Sequence, residues 1–501
     1  MKMKNGFSTE KYLKIQKKAI EERLSKFSGR LYLEFGGKLL DDYHAVRTLP
    51  GYEANAKLRL LKSLNRDLGV IYCVSAKQLA NGKIRGDYGI GYDLATIKAL
   101  EDLKQEGLTL EGVAINRYEG EKEVEKFIRK LEQLGVRYFI RKEIKGYPSD
   151  LNLIVSDKGY GADEYLPVSK KLIVVWGPGP GSGKLSTCLG QIYHEVKKGL
   201  NSGYAKFETF PVWDLPLNHP INVAYEASTA DLGDFNLVDP FHKKAYKTEA
   251  INYNRDVEAF PIIREIFQRI FGQNNFSRSY QSPTDMGFNM LAKGIVDDKV
   301  VSEAAKKEIN FYLFRYREEY KRGLVDGDTL ERMKKIMKKV GIEEDFLPAV
   351  RAARLARNKA KKEEGKGCGG VFCGAAIELK SGEVVYGKNS PLLYAEAAMI
   401  LNAIKKVAKI DDEYELVSAS IIKRINDLNG ELGDVTTSLN IVETAIALAV
   451  SARDNPLAKR AMEKLDELRG CFIHTTHRLS PADAVFLRKL GVWVSTDGEV
   501  G

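Results

Sequence analysis

The strongest constraint on this chain is the stretch from Leu172 to Thr187, which reads LIVVWGPGPGSGKLST. Its five apolar residues predict a buried strand, its glycines a tight turn, and the residues after Lys184 the start of a helix. These elements in this order form a loop whose backbone N–H groups surround a phosphate, and the helix N-terminus and the Lys184 ammonium add positive charge. We therefore predict a phosphate-binding loop that uses Gly177, Gly179, Gly181, Ser182, Gly183, Lys184, Ser186 and Thr187.

The same stretch departs at two positions from the nucleotide-binding pattern G-x-x-x-x-G-K-[ST]. That pattern would put its first glycine at Pro178 and its Mg²⁺-binding hydroxyl at Leu185. Glycines flank the first position, and two hydroxyl residues follow the second. A turn with a purely structural role is the alternative interpretation.

Composition describes an ordinary globular protein. Hydrophobic residues make up 44% of the 501 positions and charged residues 29%, so we expect two to four domains. No apolar run is long enough to span a bilayer, and Met1–Asn5 lacks the following apolar core of a signal peptide, so we expect a cytoplasmic protein without a membrane partner. Five cysteines, mostly scattered, argue against a disulfide framework.

The net charge of +10 is spread along the chain rather than collected in one segment. Lysine and arginine alternate with glutamate, as in residues 121–130, which is typical of solvated helix faces. Attraction of an anionic ligand such as a nucleotide explains the surplus as well as RNA does, and a lysine-rich solubilising surface explains it too. Nucleic acid is therefore not the expected partner.

The first half of the chain alternates short β-rich runs with helices of roughly a dozen residues. This alternation predicts a mainly parallel sheet covered by helices on both faces, a P-loop or Rossmann-like α/β fold. The glycine-rich loop would follow the last strand of the series, whereas a mononucleotide kinase normally carries it after the first. The predicted strands are 30–35, 68–74, 113–116, 136–141, 151–155 and 172–176.

A second segment with polar side chains follows the first predicted strand. Gly36 to Gly51 contains Lys38, Asp41, Asp42, His44 and Arg47. A loop after a strand is where α/β folds place ligands. A capped turn with surface charges is an equal alternative.

Residues 201–290 set single polar residues among aromatics, a pattern that indicates a shaped pocket. Carboxylates there suit Mg²⁺ or proton transfer, and an arginine suits phosphate. The candidates are Glu208, Glu226, Asp231, Asp234, Asp239, His242, Arg255 and Asp256. Among them we assign catalysis to Asp231, Asp239, His242 and Arg255, and an Mg²⁺ site to Glu226 and Asp231.

In the second half of the chain the hydrophobic residues follow the period of helices. Long amphipathic segments predict a helical middle part over residues 291–364, after a P-loop-like part over 1–290. Residues 365–501 predict a smaller α/β domain with a hairpin over 371–386 and a further strand at 414–420.

Several segments together resemble one family of proteins. They are Asp41–Gly51, Gly177–Lys184, Gly203–Trp213, Ser282–Gly287 and Gly470–Thr476. They are similar to a bacterial family with a domain of unknown function, about 500 residues long. The resemblance covers nearly the whole chain and implies a P-loop-like N-terminal domain, a helical middle and a C-terminal α/β domain. Some relatives are labelled ATP-dependent peptidases, but H-E-x-x-H, G-x-S-x-G and a convincing Cys/His pair are missing from the sequence.

A second resemblance concerns residues 373–387, followed by Tyr394-Ala-Glu396 at a predicted helix start. They look like the core of cytidine deaminases, which need a zinc ligand before Ala-Glu and a later pair of cysteines. Tyr394 holds the ligand position and no P-C-x-x-C occurs, so a shared fold implies lost zinc chemistry. Cys471 and His474 of the Cys471–His477 segment would point to opposite faces of a strand, so we expect no zinc there.

Three functions remain open on the sequence. The first is an enzyme that binds a nucleotide such as ATP with Mg²⁺, or another small phosphorylated ligand, and acts as a phosphotransferase or ligase. The second is a non-catalytic nucleotide sensor or assembly protein, which Leu185 in the metal-hydroxyl position favours slightly. The third is an RNA-associated protein. We expect homo-oligomers.

Overall fold

The computed structural model describes residues 5–82, 84–85, 90–431 and 438–499. These residues form two compact units. The N-terminal unit contains Asn5–Thr229 and Asp234–Ala304, and the C-terminal unit contains Ala230–Gly233 and the described residues from Ala305 onward. The predicted division at residues 290 and 364 stays a prediction.

The N-terminal unit is organised around a six-stranded parallel sheet, ordered β6-β5-β2-β7-β1-β8. Two small antiparallel pairs, β3 with β4 and β9 with β10, accompany it. The strands are β1 Leu31–Phe35, β2 Leu68–Ser75, β3 Ile84–Arg85, β4 Ile90–Gly91, β5 Thr109–Tyr118, β6 Tyr138–Lys142, β7 Leu172–Trp176, β8 Gly203–Phe207, β9 Asn236–Val238 and β10 Ile251–Tyr253.

Helices connect these strands. They are α1 Thr9–Leu24, α2 Tyr43–Thr48, α3 Ala56–Ser63, α4 Ala76–Ala80, α5 Tyr92–Gln105, α6 Lys122–Gln133, α7 Leu151–Ile154, α8 Lys184–Lys197, α9 Pro220–Ser228, α10 Pro240–Tyr246, α11 Asn254–Ile270 and α12 Pro283–Met286. The helix α13, Asp298–Lys321, begins in this unit and ends in the other.

Both faces of the six-stranded sheet are buried. Alternate residues of β7, such as Leu172 and Val174, pack with α3, α5 and α6, while Ile173 and Val175 pack with α8 and α11. All five residues of β7 are buried, which is why this strand reads as a continuous apolar run. The predicted parallel sheet covered on both faces is confirmed.

One predicted strand is wrong. Residues 151–155 contain the short helix α7 instead. The Asp150 side chain accepts a hydrogen bond from the Leu153 amide at 3.0 Å and caps this helix, and Ile154 is buried in the core. An apolar run of four or five residues carries no period that separates a strand from a helical turn, so the flanking cap decides.

The C-terminal unit has a mixed four-stranded sheet ordered β12-β11-β13-β14. Strand β11 is antiparallel to β12 and β13, while β13 and β14 are parallel. The strands are β11 Gly374–Glu378, β12 Val384–Lys388, β13 Phe472–His477 and β14 Trp493–Glu499. The smaller C-terminal α/β domain is therefore confirmed.

The remaining helices are α14 Gly327–Val340, α15 Pro348–Ala360, α16 Ala395–Ala408, α17 Ala419–Glu431, α18 Ile441–Ser451, α19 Pro456–Met462 and α20 Pro481–Leu490. The helices predicted for the middle of the chain are present as α13, α14 and α15. In the part of the chain that the structure describes, none of the helices combines the length and apolarity required to cross a membrane.

Two glycines let helices approach the four-stranded sheet from both sides. A Cβ on Gly374 would lie 2.2 Å from the Ala353 carbonyl oxygen of α15, and one on Gly387 would lie 2.3 Å from the Ala395 carbonyl oxygen of α16. Gly387 pairs with Ala375, the neighbour of Gly374, so the two glycines face opposite sides of the sheet. The last helix of the predicted middle part thus covers the C-terminal sheet.

The strand predicted at 414–420 is also wrong. Residues 414–418 have no regular structure, and α17 begins at Ala419. Leu416 and Val417 are buried in the core of the unit, which explains the apolar signal. The Glu415 carbonyl accepts a hydrogen bond from the Asn455 side chain at 3.1 Å rather than from a neighbouring strand.

Candidate functional site

The glycine-rich loop, residues 177–183, leaves the carboxyl end of β7 in the middle of the sheet. The chain leaves the neighbouring strand β2 towards β5, but it leaves β7 in the opposite direction, towards β8. Two adjacent parallel strands whose connections diverge leave a crevice between their carboxyl ends, where α/β proteins bind ligands. The loop therefore lies at the switch point of a doubly wound sheet.

The four glycines of the loop have different surroundings. A Cβ on Gly177 would lie 2.6 Å from the Cys73 carbonyl oxygen, and one on Gly183 would lie 2.6 Å from Asn116 Cγ. Gly183 also has φ +88°, which disfavours a side chain. Among the residues that the structure describes, no heavy atom lies within 4 Å of a Cβ built on Gly179 or Gly181. Two glycines thus fit the loop against the sheet, and the other two have no described neighbour at this distance.

Hydrogen bonds hold the loop in this shape. The Ser182 hydroxyl donates to the Gly179 carbonyl at 3.0 Å, and the Asn116 amide donates to the Ser182 carbonyl at 2.8 Å. Lys184, the first residue of α8, donates from Nζ to the Gly179 carbonyl at 3.1 Å. The ammonium group therefore lies over the loop, next to the positive end of a helix of 14 residues.

A buried network supports the loop from behind. Arg141 forms an ion pair with Asp163 at 2.5 Å and donates to Asn116 Oδ1 and Thr187 Oγ1, each at 3.2 Å. Thr187 is fully buried and donates to Asn116 Oδ1 at 3.1 Å. Its hydroxyl, predicted to assist at the phosphate, thus contacts the base of the loop, while Ser186 in the first turn of α8 is half-buried.

A second group of polar side chains lies at the carboxyl end of β8. Lys206 Nζ donates to Asp256 at 2.6 and 2.5 Å and to the Tyr253 hydroxyl at 2.9 Å, and it lies 3.2 Å from Glu208 Oε1. The Tyr253 hydroxyl donates to the same Glu208 oxygen at 2.6 Å. Lys206, Glu208 and Asp256 line an open pocket of about 390 Å³, a volume that includes space open to solvent. Its other walls include Trp213, Asn252, Pro283, Thr284, Phe288 and Asn289.

Burial sets the charge of this pocket. It raises the pKa of Glu208 to about 7, against the attraction of Lys206 and with further repulsion from Asp256. Burial alone would lower the pKa of Lys206, but the charges of Asp256 and Glu208 outweigh it and raise that pKa well above its usual range. Lys206 is therefore a cation at neutral pH, whereas the Glu208 carboxyl can gain or lose a proton there.

The loop after β1 connects the glycine-rich loop with this pocket. The Trp176 indole N–H donates to the Gly37 carbonyl at 3.2 Å, and a Cβ on Gly36 would lie 2.8 Å from Glu208 Cγ. Strands β7, β1 and β8 are neighbours and parallel, so all three carboxyl ends lie at one edge of the sheet. The glycine-rich loop and the Lys206 pocket therefore lie at the same edge of the sheet.

In the segment from Gly36 to Gly51, Asp42 caps α2 by accepting from the Ala45 amide at 3.4 Å. It also forms an ion pair with the buried Lys57 at 2.8 Å, and Lys57 lowers its pKa against the effect of burial. For Asp42, the alternative of a capped turn describes the structure.

The residues predicted as catalytic have separate partners. Asp239 is fully buried, caps α10 and accepts from the pocket residues Asn252 and Thr284 at 3.2 and 2.9 Å. His242 Nδ1 lies 3.2 Å from the Ser282 hydroxyl. Asp239 is therefore positioned to orient the pocket wall.

The structure gives Arg255 and Asp231 partners that are not among the residues lining the Lys206 pocket. Arg255 forms an ion pair with Asp234. Asp231 belongs to the C-terminal unit and accepts from the Tyr316 hydroxyl at 3.0 Å, whereas Glu226 is buried on α9 of the N-terminal unit. Within the described ranges, no three His, Cys, Asp or Glu side chains are grouped so that they could hold a metal ion. The magnesium assignment stays a prediction.

Glu208 and Asp256 are among the candidates predicted from the sequence, whereas Lys206 and Tyr253 are not. A signal for Lys206 was available, because it is the only charged residue of the strand GYAKF in β8. A lysine in a buried strand needs a carboxylate partner.

The fold and the site define a doubly wound α/β protein with a glycine-rich loop at its switch point and a second α/β unit. The family model "Domain of unknown function DUF1846, N-terminal" matches residues 5–341, and its C-terminal counterpart matches residues 346–500. The chain belongs to the DUF1846 family, as the resemblance predicted.

Its relatives cover nearly the whole length. The chain is 46% identical to a UPF0371 protein of Clostridium tetani (strain Massachusetts / E88) over 498 residues, 99% of this chain and 98% of the relative. It is also 46% identical to a UPF0371 protein of Clostridium botulinum (strain Alaska E43 / Type E3), with the same coverage. A UPF0371 protein of Clostridium botulinum (strain Langeland / NCTC 10281 / Type F) is 45% identical over 502 residues, 99% of this chain and 98% of the relative.

Proposed function

We propose that the N-terminal unit binds the phosphate groups of a nucleotide or phosphorylated metabolite at residues 177–184 and transfers a group to an acceptor beside Glu208. The protein is then a phosphotransferase or ligase. The observation that carries this proposal is the loop at the switch point, where the Lys184 ammonium lies over the loop and no described residue crowds Gly179 or Gly181.

Charge and geometry support phosphate as the ligand. Backbone N–H groups after Gly181 and the N-terminus of α8 supply partial positive charge, and Lys184 adds a full one. The Arg141 network holds Asn116, which in turn fixes the Ser182 carbonyl, so the loop is organised before a ligand arrives. A preorganised site loses less entropy on binding.

The Lys206 pocket supports a small polar acceptor. It lies two strands from the loop, roughly 10 Å away at the usual strand spacing, a distance that a bound nucleotide can span. Glu208, with a pKa of about 7, is suited to take the proton of an acceptor hydroxyl or amine as the new bond forms. Lys206 and Tyr253 hold that carboxyl in place.

Thermal unfolding tests the binding step. We expect ATP, GTP, pyrophosphate or inorganic phosphate, with or without Mg²⁺, to raise the unfolding temperature of the wild type. A ligand at about 100 times its Kd stabilises a protein by about 2.7 kcal/mol. Lys184→Ala removes the ammonium above the loop, so its ligand-dependent shift should be lost.

Lys126→Ala is the matched control, because Lys126 is exposed on α6. Its shift should equal that of the wild type. A wild type that responds to none of these compounds, or a Lys184→Ala shift as large as the control's, would refute phosphate binding at the loop.

Turnover distinguishes an enzyme from a nucleotide sensor. With ATP bound, Glu208→Gln should keep the thermal shift but lose ADP formation in the presence of an acceptor, since glutamine cannot take a proton. Binding with no ADP formation by the wild type, across a panel of polyols, amino acids and carboxylates, would support the sensor instead.

A further inference from the structure

Three elements of the C-terminal unit bring a cysteine, a histidine and a glutamate together. Cys373 directly precedes β11, Glu396 lies in the first turn of α16, and His477 ends β13. His477 Nε2 lies 3.2 and 3.1 Å from the two Glu396 carboxylate oxygens. Ala375 of β11 pairs with Thr475 of β13, and the same antiparallel register places Cys373 opposite His477.

The backbone around Cys373 is fixed against the strand that carries His477. The Cys373 amide donates to Asn389 Oδ1 at 2.8 Å, and the Gly374 amide donates to Thr476 Oγ1 at 3.1 Å. The pairing register of β13 shifts between Thr475 and His477. His477 therefore contacts α16, whereas His474 contacts Ser495 of β14 at 2.9 Å.

The His477 and Glu396 side chains are much more buried than those of a surface ion pair. The Glu396 side chain is 1% exposed, and that of His477 is 14% exposed. The buried His477 Nδ1 has no hydrogen-bond partner among the residues that the structure describes. Buried polar atoms are rarely left in this state without a function or a ligand.

We propose that Cys373, His477 and Glu396 form a second catalytic site, in which the Cys373 thiolate attacks the acyl carbon of a small ester or amide. This site is separate from the phosphate-binding loop and does not depend on the proposed function. A thiol next to an imidazole that is held by a carboxylate is the arrangement of nucleophilic thiol catalysis.

The charges support this arrangement. Burial lowers the pKa of His477, but the Cys373 thiol and the Glu396 carboxylate outweigh it and raise it to about 10. His477 is therefore an imidazolium at neutral pH. The carboxyl of Asp483 on α20 faces Glu396, and burial followed by repulsion from Glu396 raises the pKa of Asp483.

The step balances without a redox partner. The sulfur lone pair forms an S–C bond to the acyl carbon, the bond from that carbon to the leaving oxygen or nitrogen breaks, and His477 gives its proton to the leaving group. Water then attacks the thioester, His477 takes a proton from it, and the carboxylic acid leaves as the S–C bond breaks. The net reaction is hydrolysis with one water.

The test uses the full chain and p-nitrophenyl acetate as the probe. We expect a burst of nitrophenolate and one acetyl group on Cys373, located by peptide mass spectrometry. Glu396→Gln removes the charge that stabilises the imidazolium, so acetylation of Cys373 at pH 7 should slow by about tenfold, the effect of one pKa unit, and recover at higher pH. His477→Gln should show the same loss and recovery.

Cys368→Ser is the matched control, because Cys368 lies on the same segment and is more exposed than Cys373. It should leave the burst unchanged. Acetylation of Cys373 no faster than that of Cys368, or a pH profile that neither Glu396→Gln nor His477→Gln moves, would overturn the proposal. If one of these variants melts below the assay temperature, the other decides.

Discussion

At the scale of single residues, the Lys206 pocket is the most unusual feature of the N-terminal unit. The Lys206 ammonium group contacts the carboxylates of Glu208 and Asp256 and the phenol of Tyr253. The three charged side chains are only 13–24% exposed. Two negative charges around one positive charge in a poorly solvated place favour protonation of one carboxyl. Glu208 is that carboxyl.

We predict that Glu208→Gln flattens the pH dependence of stability. The pKa of Glu208 is about 7 in the folded protein and 4.5 by reference, so the folded state holds a proton that the unfolded state releases. The wild type therefore loses stability as pH rises from about 4.5 to about 7. Glutamine has no such loss, so urea unfolding at pH 5 and pH 8 should differ less in the variant, by on the order of 2 kcal/mol.

Glu258→Gln on α11 is the comparison, since Glu258 is exposed. It should keep the wild-type difference between the two pH values. An equal difference in all three proteins would contradict the raised pKa of Glu208.

Residue identity alone predicted part of this site. Glu208 and Asp256 were predicted as site candidates because they are single carboxylates in an aromatic-rich segment. That Asp231 belongs to the other unit could not be predicted, because the sequence gives no contacts between distant positions. Cys373 and His477 were missed for the same reason: they are far apart in the chain and meet only through the pairing of β11 with β13.

At the scale of elements, the order strand, glycine-rich turn and helix was readable from the sequence because each part has its own signal. The uninterrupted apolar run predicts β7. The glycine-rich turn predicts the start of α8, where Gly183 has φ +88° in the structure. Short apolar runs such as 151–155 and 414–420 carry no period, and local caps and side-chain hydrogen bonds decide their structure.

We predict different costs for alanine at two glycines of the loop. Gly183→Ala needs a left-handed backbone and puts Cβ against Asn116, so it should destabilise the protein by about 2 kcal/mol or more and weaken phosphate binding. Gly179→Ala meets none of the described residues within 4 Å and should change stability by less than about 0.5 kcal/mol. Urea unfolding measures both. Equal costs would mean that the loop adopts another shape in solution.

At the scale of the whole molecule, the chain has two compact units with separate hydrophobic cores. Each core is built on its own sheet, and each sheet has helices on both faces. Each candidate site lies within one unit: the glycine-rich loop in the first and Cys373 in the second.

We therefore predict two transitions in calorimetric unfolding. A phosphate ligand that binds the loop should raise the transition of the N-terminal unit, because a ligand stabilises the part that it binds. Gly387→Ala, whose Cβ would overlap α16, should lower the other transition. A single transition that responds to both changes would contradict independent cores.

The place of β7 in the sheet has a consequence for how the chain is made. Leu31 of β1 and Leu68 of β2 both pair with Leu172 of β7. Strands β1 and β2 therefore leave the ribosome long before the strand that lies between them. Until then their apolar edges have no neighbour, and exposed edges of this kind promote aggregation. The ligand crevice can therefore form only after β7 has been translated, well after β1 and β2.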